Sequence, residues 1–422
     1  MIRRKMQYAL VSQSWNTFAS EFLYEFVWIS NAVEAEKLAR TLSSSAPQCR
    51  GALYGTYIRR LHIQTSMLNR CNPAHLRTIL DYSSRLVVYS DHRSVRRNLL
   101  EEKHNPSSSP AQLFSTLARP NNSLRRLSWT NYDDFSFHVH MSPALDTIAM
   151  NLEFLELSLS TTDLHSLTQA PSSPNHPLTA LSLPSLKTLK VTLDNATFAV
   201  LAAWDLPLLQ NLSVLSADFS YAGPGFSQFF LVHGPKVTQL EFGHSSSSIE
   251  EHYLTESPAN SNRHHSIPLA AWCPNLREFI CSADAEWNWE NPDWIAPHVL
   301  LPTHPALEFI GIRDLDKRLL DDLGLARGRD LDDDSPLFML LQQIGSLLRE
   351  EAFPSLRYIR DLSQGSDIMR RCRPQGRMLR FWAKVVERCS QRGVWLEDCL
   401  GINVTKRNLL RYGAEDVEVS CY

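Results

Sequence analysis

The chain has 422 residues, 43% of them apolar and 21% charged, with a formal net charge of −3. Enough apolar material is present to fill two or three ordinary domains or one elongated array, which rules out a disordered chain. The near-neutral charge, with no basic block longer than Arg370-Arg371 and Arg373, argues against broad electrostatic binding of nucleic acid.

In chain order, residues 6–29 read as helical, because Val11, Trp15, Phe18, Phe22 and Phe26 recur at three- and four-residue steps and form one apolar stripe. Residues 31–100 alternate short apolar runs with polar breaks and include the strand-like Arg85-Leu-Val-Val-Tyr89. The turn-rich break Asn105-Pro-Ser-Ser-Ser-Pro110 follows. From about residue 123 to about 360 one cadence keeps returning, Pro-x-φ-x-x-φ-x-φ, with φ an apolar residue. It reads Pro184-Ser-Leu186-Lys-Thr-Leu189-Lys-Val191, and again from Pro207, Pro235, Pro274 and Pro305, with a weaker copy at Pro354. Copies without the proline start at Leu124 and Leu152, and an early one reads Ile58-Arg-Arg-Leu61-His-Ile63. The last two apolar positions of each copy lie two apart and share one face of a short strand. One such unit cannot bury its apolar face alone, whereas stacked units share a continuous core.

The steps between copies include 23 and 28 residues, the spacing of leucine-rich repeats, and longer ones that need insertions. One insertion holds a predicted helix, with Ser335 as N-cap, Pro336 at its first position and Leu337, Leu340, Leu341, Ile344, Leu347 and Leu348 on one face. A last helix carries Met378, Trp382, Val385, Val386 and Cys389 and ends at Gly393. Val394-Trp-Leu-Glu397 then supplies a final strand that caps the array. The expected fold class is therefore α/β, an irregular solenoid of leucine-rich repeats.

The eight cysteines are scattered and none forms a CxxC pair, so buried free thiols in a reducing compartment are expected, in the cytoplasm or nucleus. His264-His265 with Cys273 and Cys281 lacks zinc spacing, and Asp330-Leu-Asp-Asp-Asp334 lacks the alternating ligands of a calcium loop. No nucleophile elbow, phosphate loop or dinucleotide fingerprint occurs. No catalytic residue, metal or cofactor is expected, and the chain reads as a non-enzyme.

Between the inward positions of each strand, the central residue faces solvent on the concave side: Ser128, Glu156, Lys190, Ser213, Glu241, Ile280, Gly311 and Arg360 in turn. Thr192, Glu278 and Arg313 lie beside that row. It carries no dominant charge. Candidate target contacts are Glu156, Lys190, Thr192, Glu241, Glu278 and Arg313. Trp287, Trp289 and Trp294 add a candidate aromatic anchor, against the competing and favoured role of filling the outer face of a repeat.

Met6-Gln-Tyr-Ala-Leu-Val-Ser-Gln-Ser-Trp-Asn-Thr-Phe-Ala-Ser-Glu-Phe-Leu-Tyr-Glu-Phe-Val-Trp-Ile-Ser30 resembles the second half of an F-box, with Ala9, Leu10, Val11, Ser12, Trp15, Leu23, Tyr24 and Val27 matching the family's pattern. The repeats and the ending Trp382…Cys389…Gly393-Val-Trp-Leu-Glu-Asp398 are similar to F-box proteins with leucine-rich repeats of the basidiomycete fungal type. The resemblance spans essentially the whole chain. It implies a substrate receptor of an SCF-type ubiquitin ligase, in which the F-box docks on an Skp-type adaptor and the repeats hold a target protein. Leu10, Val11 and Trp15 are then the candidate adaptor contacts, with internal packing the competing role and, for Trp15, the favoured one. The Leu-Pro-x-Glu-like helix that opens a complete F-box would lie upstream of Met1. The box therefore reads as truncated, and Val11, Trp15 and Phe22, short of packing partners, are expected to leave an apolar patch. The implied organisation is a partial F-box over 1–30, a connecting region with early irregular repeats over 31–122, repeats with a C-terminal cap over 123–400, and a tail over 401–422. A ligase-independent interaction scaffold with a degenerate F-box is the alternative.

Overall fold

In the computed structural model of the chain, the residues described are 12–44, 51–66, 69–92, 94, 110–118, 123–130, 146–158, 181–192, 195–216, 224–244, 269–282, 301, 303–313, 315–316, 335–363, 366 and 376–410. Two compact units divide the chain, residues 1–209 and 210–422, and each is built in the same way.

Among the described residues of the first unit, helix α1 (Gln13–Glu25) runs directly into strand β1 (Phe26–Ile29). Then follow α2 (Ala32–Ser43), α3 (Gly51–Tyr57), β2 (Arg60–Gln64), α4 (Pro73–Tyr82), β3 (Val88–His92), α5 (Pro110–Leu117), β4 (Arg126–Thr130), β5 (Phe154–Ser158), β6 (Thr188–Thr192) and α6 (Asn195–Ala202). The second unit holds β7 (Asn211–Ser216), α7 (Pro224–His233), β8 (Gln239–His244), α8 (Leu269–Trp272), β9 (Glu278–Ser282), β10 (Phe309–Arg313), α9 (Ser335–Leu347), β11 (Tyr358–Asp361), α10 (Gly376–Arg392), β12 (Trp395–Glu397) and α11 (Lys406–Leu410). Strand order follows chain order in both, and successive strands pair in parallel from β1 to β6 and from β7 to β12.

The cadence maps onto this ladder position by position. The first apolar residue of each copy turns into the strand and is buried: Ile58, Leu86, Leu124, Leu152 and Leu186 in the first unit, Val237, Leu276, Leu307 and Leu356 in the second. The next two point inward from the strand, as Leu127 and Trp129, Leu189 and Val191, or Leu240 and Phe242 do, all buried. Burying an apolar side chain of this kind is worth roughly 1.5–3 kcal/mol, and most repeats contribute three of them, with Asp91 and Asp361 replacing the last one on β3 and β11.

Polar groups lock the repeats at their entry. The Arg125 and Arg126 amides both donate to the Val87 carbonyl, at 2.9 and 3.1 Å, and Glu153 and Phe154 both donate to the Arg125 carbonyl, at 2.8 and 3.0 Å. The polar residue just before the first apolar position adds a side-chain bond to the preceding repeat. Ser185 donates to the Met150 carbonyl, Asn275 to Pro235 and Ser355 to Pro305, at 2.8, 2.8 and 2.7 Å.

The strands begin earlier than the sequence suggests. Phe26–Ile29 reads as the end of a helix, yet it is β1, with Val27 opposite Leu61 and Ile29 opposite Ile63. The ladder continues through 31–122 by way of β2 and β3. The predicted strand at 85–89 lies three residues further on, at Val88–His92, because Leu86 takes the entry position and Tyr89 and Asp91 point inward. Asp91 is fully buried there. It accepts hydrogen bonds from the Tyr89 hydroxyl at 2.8 Å, the Ser94 amide at 3.2 Å and the Ser94 hydroxyl at 2.7 Å. That set replaces the water the carboxylate has lost.

The C-terminal cap has the expected parts. Trp382, Val385, Val386 and Cys389 are buried on α10. Gly393 at φ +72 ends the helix, with the Val394 amide donating back to the Cys389 carbonyl at 2.9 Å. Residues after β12 fold back so that Val404 donates to the Leu396 carbonyl at 2.7 Å. Cys71, Cys273, Cys281 and Cys389 are buried free thiols, each pushed up to about 12, with burial the first cause.

His304 bolts two repeats of the second unit together. Its Nδ1 accepts from the Ala306 amide at 3.2 Å, so Nε2 carries the proton and donates to the Cys273 carbonyl at 3.0 Å. Burial lowers its pKa, against the opposing pull of the Cys273 bond. The unfolded chain therefore takes up that proton more readily, and the stability from neutral His304 is lost as pH falls below the ordinary histidine range. His304→Ala is predicted to cost about 1–3 kcal/mol in urea unfolding of the second unit at neutral pH. It should also make the loss of stability on acidification less steep than in the wild type.

Candidate interaction surface

Side chains alternate along a strand, so the residues between the buried positions form an open face whose rows are set by register. In the first unit the central row is Trp28, His62, Ser90, Ser128, Glu156 and Lys190. In the second it is Ser213, Glu241, Ile280, Gly311, Arg360 and Glu397. The sequence-derived row thus lies in register, strand by strand, within each unit, and each unit adds members to it. Ser213, Ile280 and Gly311, however, are buried rather than turned to solvent, because neighbouring side chains close over them, as Leu362 does over Gly311. Trp28, His62 and Ser90 come from the strands not counted as full repeats, and Glu397 from the cap.

Several predicted contacts are brought together in pairs. Lys190 Nζ lies 2.9 Å from Glu156 Oε1 on the neighbouring strand. Arg313 reaches from β10 past β9 to Glu241 on β8, with Nε 2.6 Å from Oε1, and the Ser213 hydroxyl donates to the other oxygen of Glu241 at 2.8 Å. Glu278 is exposed, in register with Gln239 and Phe309. Thr192 sits at the end of β6, opposite Ser158. Leu10, Val11, Trp287, Trp289 and Trp294 lie outside the described residues, as do His264, His265 and the acidic run 330–334.

Trp15 is not internal. It is 52% exposed, and Phe18 and Phe22 on the same face of α1 are 71% and 58% exposed. The buried side of α1 instead carries the small residues Ala19 and Ser20, while Tyr24 stacks on Tyr54 with ring centroids 4.7 Å apart. Ser12 caps the helix, its hydroxyl accepting from the Trp15 amide at 3.2 Å. An aromatic stripe on the solvent side of a helix is the reverse of ordinary burial.

A second aromatic and ionic group closes the open face of the second unit. Phe309, Tyr358 and Trp395 occupy one row on β10, β11 and β12. Tyr358 meets Trp395 edge-on at 6.0 Å, and the Arg360 guanidinium lies 5.0 Å from the Phe309 ring centre. Two N–H groups of Arg360 donate to one oxygen of Glu397, at 2.8 and 2.6 Å. Gly401, at φ +73, leaves room behind that guanidinium, since a Cβ there would lie 3.1 Å from Arg360 Nη2.

No family model matches the chain, and no curated protein matches it. Among solved structures it is similar to the leucine-rich repeat-containing protein LegL7 from Legionella pneumophila. The two share 13% identity over 93% of this chain and 99% of that one, with a TM-score of 0.37. A score at that level carries no weight of its own, so the assignment rests on the ladder. The architecture is that of leucine-rich repeats. Such a face presents side chains in rows. Among the described residues, no cluster of three or more histidines, cysteines or carboxylates is placed to hold a metal, and no helix is long and apolar enough to cross a membrane.

Beneath the Arg360 row, Asp361 points inward and is buried. Burial pushes its carboxyl up to about 6, with Asp316 and Asp398 adding repulsion and the bonds from Ser363 opposing the shift. The folded state therefore holds this proton more tightly than the unfolded state, and the group's contribution to stability falls as pH rises from about 4 to about 6. Asp361→Asn is predicted to remove that loss. The stability difference between variant and wild type should move in the variant's favour by on the order of 2 kcal/mol between pH of about 4 and about 7, read by urea unfolding.

Proposed function

We propose that the chain is a non-catalytic substrate-recognition subunit of an SCF-type ubiquitin ligase. In this reading the partial F-box, residues 1–30, docks an Skp-type adaptor through Leu10, Val11, Trp15 and the aromatic face of α1. The open face of the repeats holds a target protein. The observation that carries the reading is α1, which turns Trp15, Phe18 and Phe22 to solvent and passes without a linker from Glu25 into β1. A partner seated on those aromatics would be held in fixed relation to the first repeats, as delivery of a bound target to a ligase requires. Aromatic anchors of this kind dominate the binding energy of protein interfaces. The paired Glu156 and Lys190, and Glu241 and Arg313, supply polar positions on the target side, with Thr192 and Glu278 beside them.

The test is capture of an Skp-type adaptor by the whole chain, measured by calorimetry. Wild type is predicted to bind. The triple change Trp15→Ala, Phe18→Ala and Phe22→Ala should weaken binding by at least about a hundredfold, or roughly 2.7 kcal/mol, while leaving the thermal transition close to that of the wild type, because these side chains are exposed. A folded wild-type chain that does not bind the adaptor removes the ligase reading and leaves a ligase-independent scaffold built from the same repeats.

A further inference from the structure

The open face of the first unit carries positive charge that no described residue neutralises. On β1 to β5 the row one step before the centre reads Phe26, Arg60, Val88, Arg126 and Phe154. Arg60 and Arg126 are both exposed, and among the described residues no carboxylate reaches either. The nearby acids on these strands are already used, since Glu156 pairs with Lys190 at 2.9 Å and Glu153 with Arg125 at 3.5 Å. The central row adds Trp28, 53% exposed, and His62, whose ring lies 5.2 Å from Phe26 and 6.2 Å from Trp28. The Arg126 guanidinium lies 4.2 Å from the Phe154 ring centre, so one end of the row is a cation on an aromatic face. The field is felt within the site: burial first, then His92, Arg60 and Arg126, push the His62 pKa down.

We propose that this face is the docking site for an extended acidic segment of a partner protein. Arg60 and Arg126 lie two strands apart, about 10 Å at the usual strand spacing, with Val88 between them. Three residues of a polyproline II segment span about the same distance, and its three-residue turn brings the third residue back to the same face. A segment lying across the strands can therefore place carboxylates three residues apart on the two arginines. An apolar side chain between them meets Val88, and further apolar groups meet Phe26 and Trp28 at one end and Phe154 at the other. Guanidinium groups favour carboxylates because both are planar and can share two hydrogen bonds. The same face does not suit nucleic acid, whose binding rests on many phosphate contacts: two uncompensated arginines with Glu153 and Glu156 alongside make a small footprint. The inference rests on the repeats being the partner-binding part of the protein, and not on adaptor docking.

The test is selection from a displayed library of random linear peptides by the whole chain. Wild type should enrich peptides with two acidic residues spaced three apart and flanked by apolar residues. Arg60→Glu with Arg126→Glu should abolish that enrichment, and the milder Arg60→Gln with Arg126→Gln should weaken the selected peptides by at least about tenfold. Arg357→Glu in the second unit should leave them unchanged. Peptides without acidic bias, the same peptides enriched by the charge-reversed protein, or no enrichment at all would overturn the proposal, as would tighter binding of a single-stranded oligonucleotide than of any selected peptide. Adaptor capture by the Arg60→Glu, Arg126→Glu protein, assayed in parallel, reports separately on its folding and on the ligase reading.

Discussion

The open faces of this protein depend on one backbone contact repeated at the entry of most strands. The carbonyl of one residue accepts from two successive amides of the next repeat: Val87 from Arg125 and Arg126, Arg125 from Glu153 and Phe154, Gln210 from Thr238 and Gln239, Thr238 from Arg277 and Glu278. A carbonyl oxygen has two lone pairs, so one acceptor can fix two donors. Within each unit that pins these strands to their predecessors at the same step. A slip of one residue would send Leu127, Leu155 and Leu189 to solvent and draw Ser128, Glu156 and Lys190 into the core. The core thus enforces the register, and the register places the outward residues in rows.

The rows then differ because their residues do. In the second unit the charges close on one another: Glu241 with Arg313 and Ser213, Arg360 with Glu397. These pairs are partly buried, with Glu397 almost wholly covered, and they leave the face nearly neutral, with Phe309, Tyr358 and Trp395 as its apolar feature. In the first unit the early strands contribute Arg60 and Arg126 to the open face, and their one acid, Asp91 on β3, points inward. Repeats with the same interior therefore present surfaces of different character.

The interior was legible from the sequence because one apolar triplet per repeat has only one way to be buried, and the central row from Ser128 to Arg360 follows from it by alternation. What was hidden has identifiable causes. Phe26 continues the spacing of Phe18 and Phe22, so Phe26–Ile29 reads as helix until a neighbouring strand claims Val27 and Ile29. Asp91 stands at an inward position and breaks the apolar pattern of β3, and nothing local announces that Tyr89 and Ser94 will satisfy it. Reading the charge balance from the central row of repeats after residue 123 left out Arg60 and, one row before the centre, Arg126, so the face looked neutral. Ser185, Asn275 and Ser355 occupy a turn position where many residue types fit, and their bonds to the preceding repeat emerge only once the repeats are stacked. Trp15 looked internal because large aromatics usually are. Ala19 and Ser20 occupy the packed side instead.

Register is the claim on which the rest stands, and a disulfide measures it directly. Ser90 and Ser128 are partners on β3 and β4, at the separation of adjacent strands, about 4.8 Å, which falls within disulfide reach. Ser90→Cys with Ser128→Cys should form a bond under mild oxidation of the folded protein, while Ser90→Cys with Thr130→Cys should not. A bond in the second pair and none in the first would mean a two-residue slip between β3 and β4, and the rows described here would be wrong.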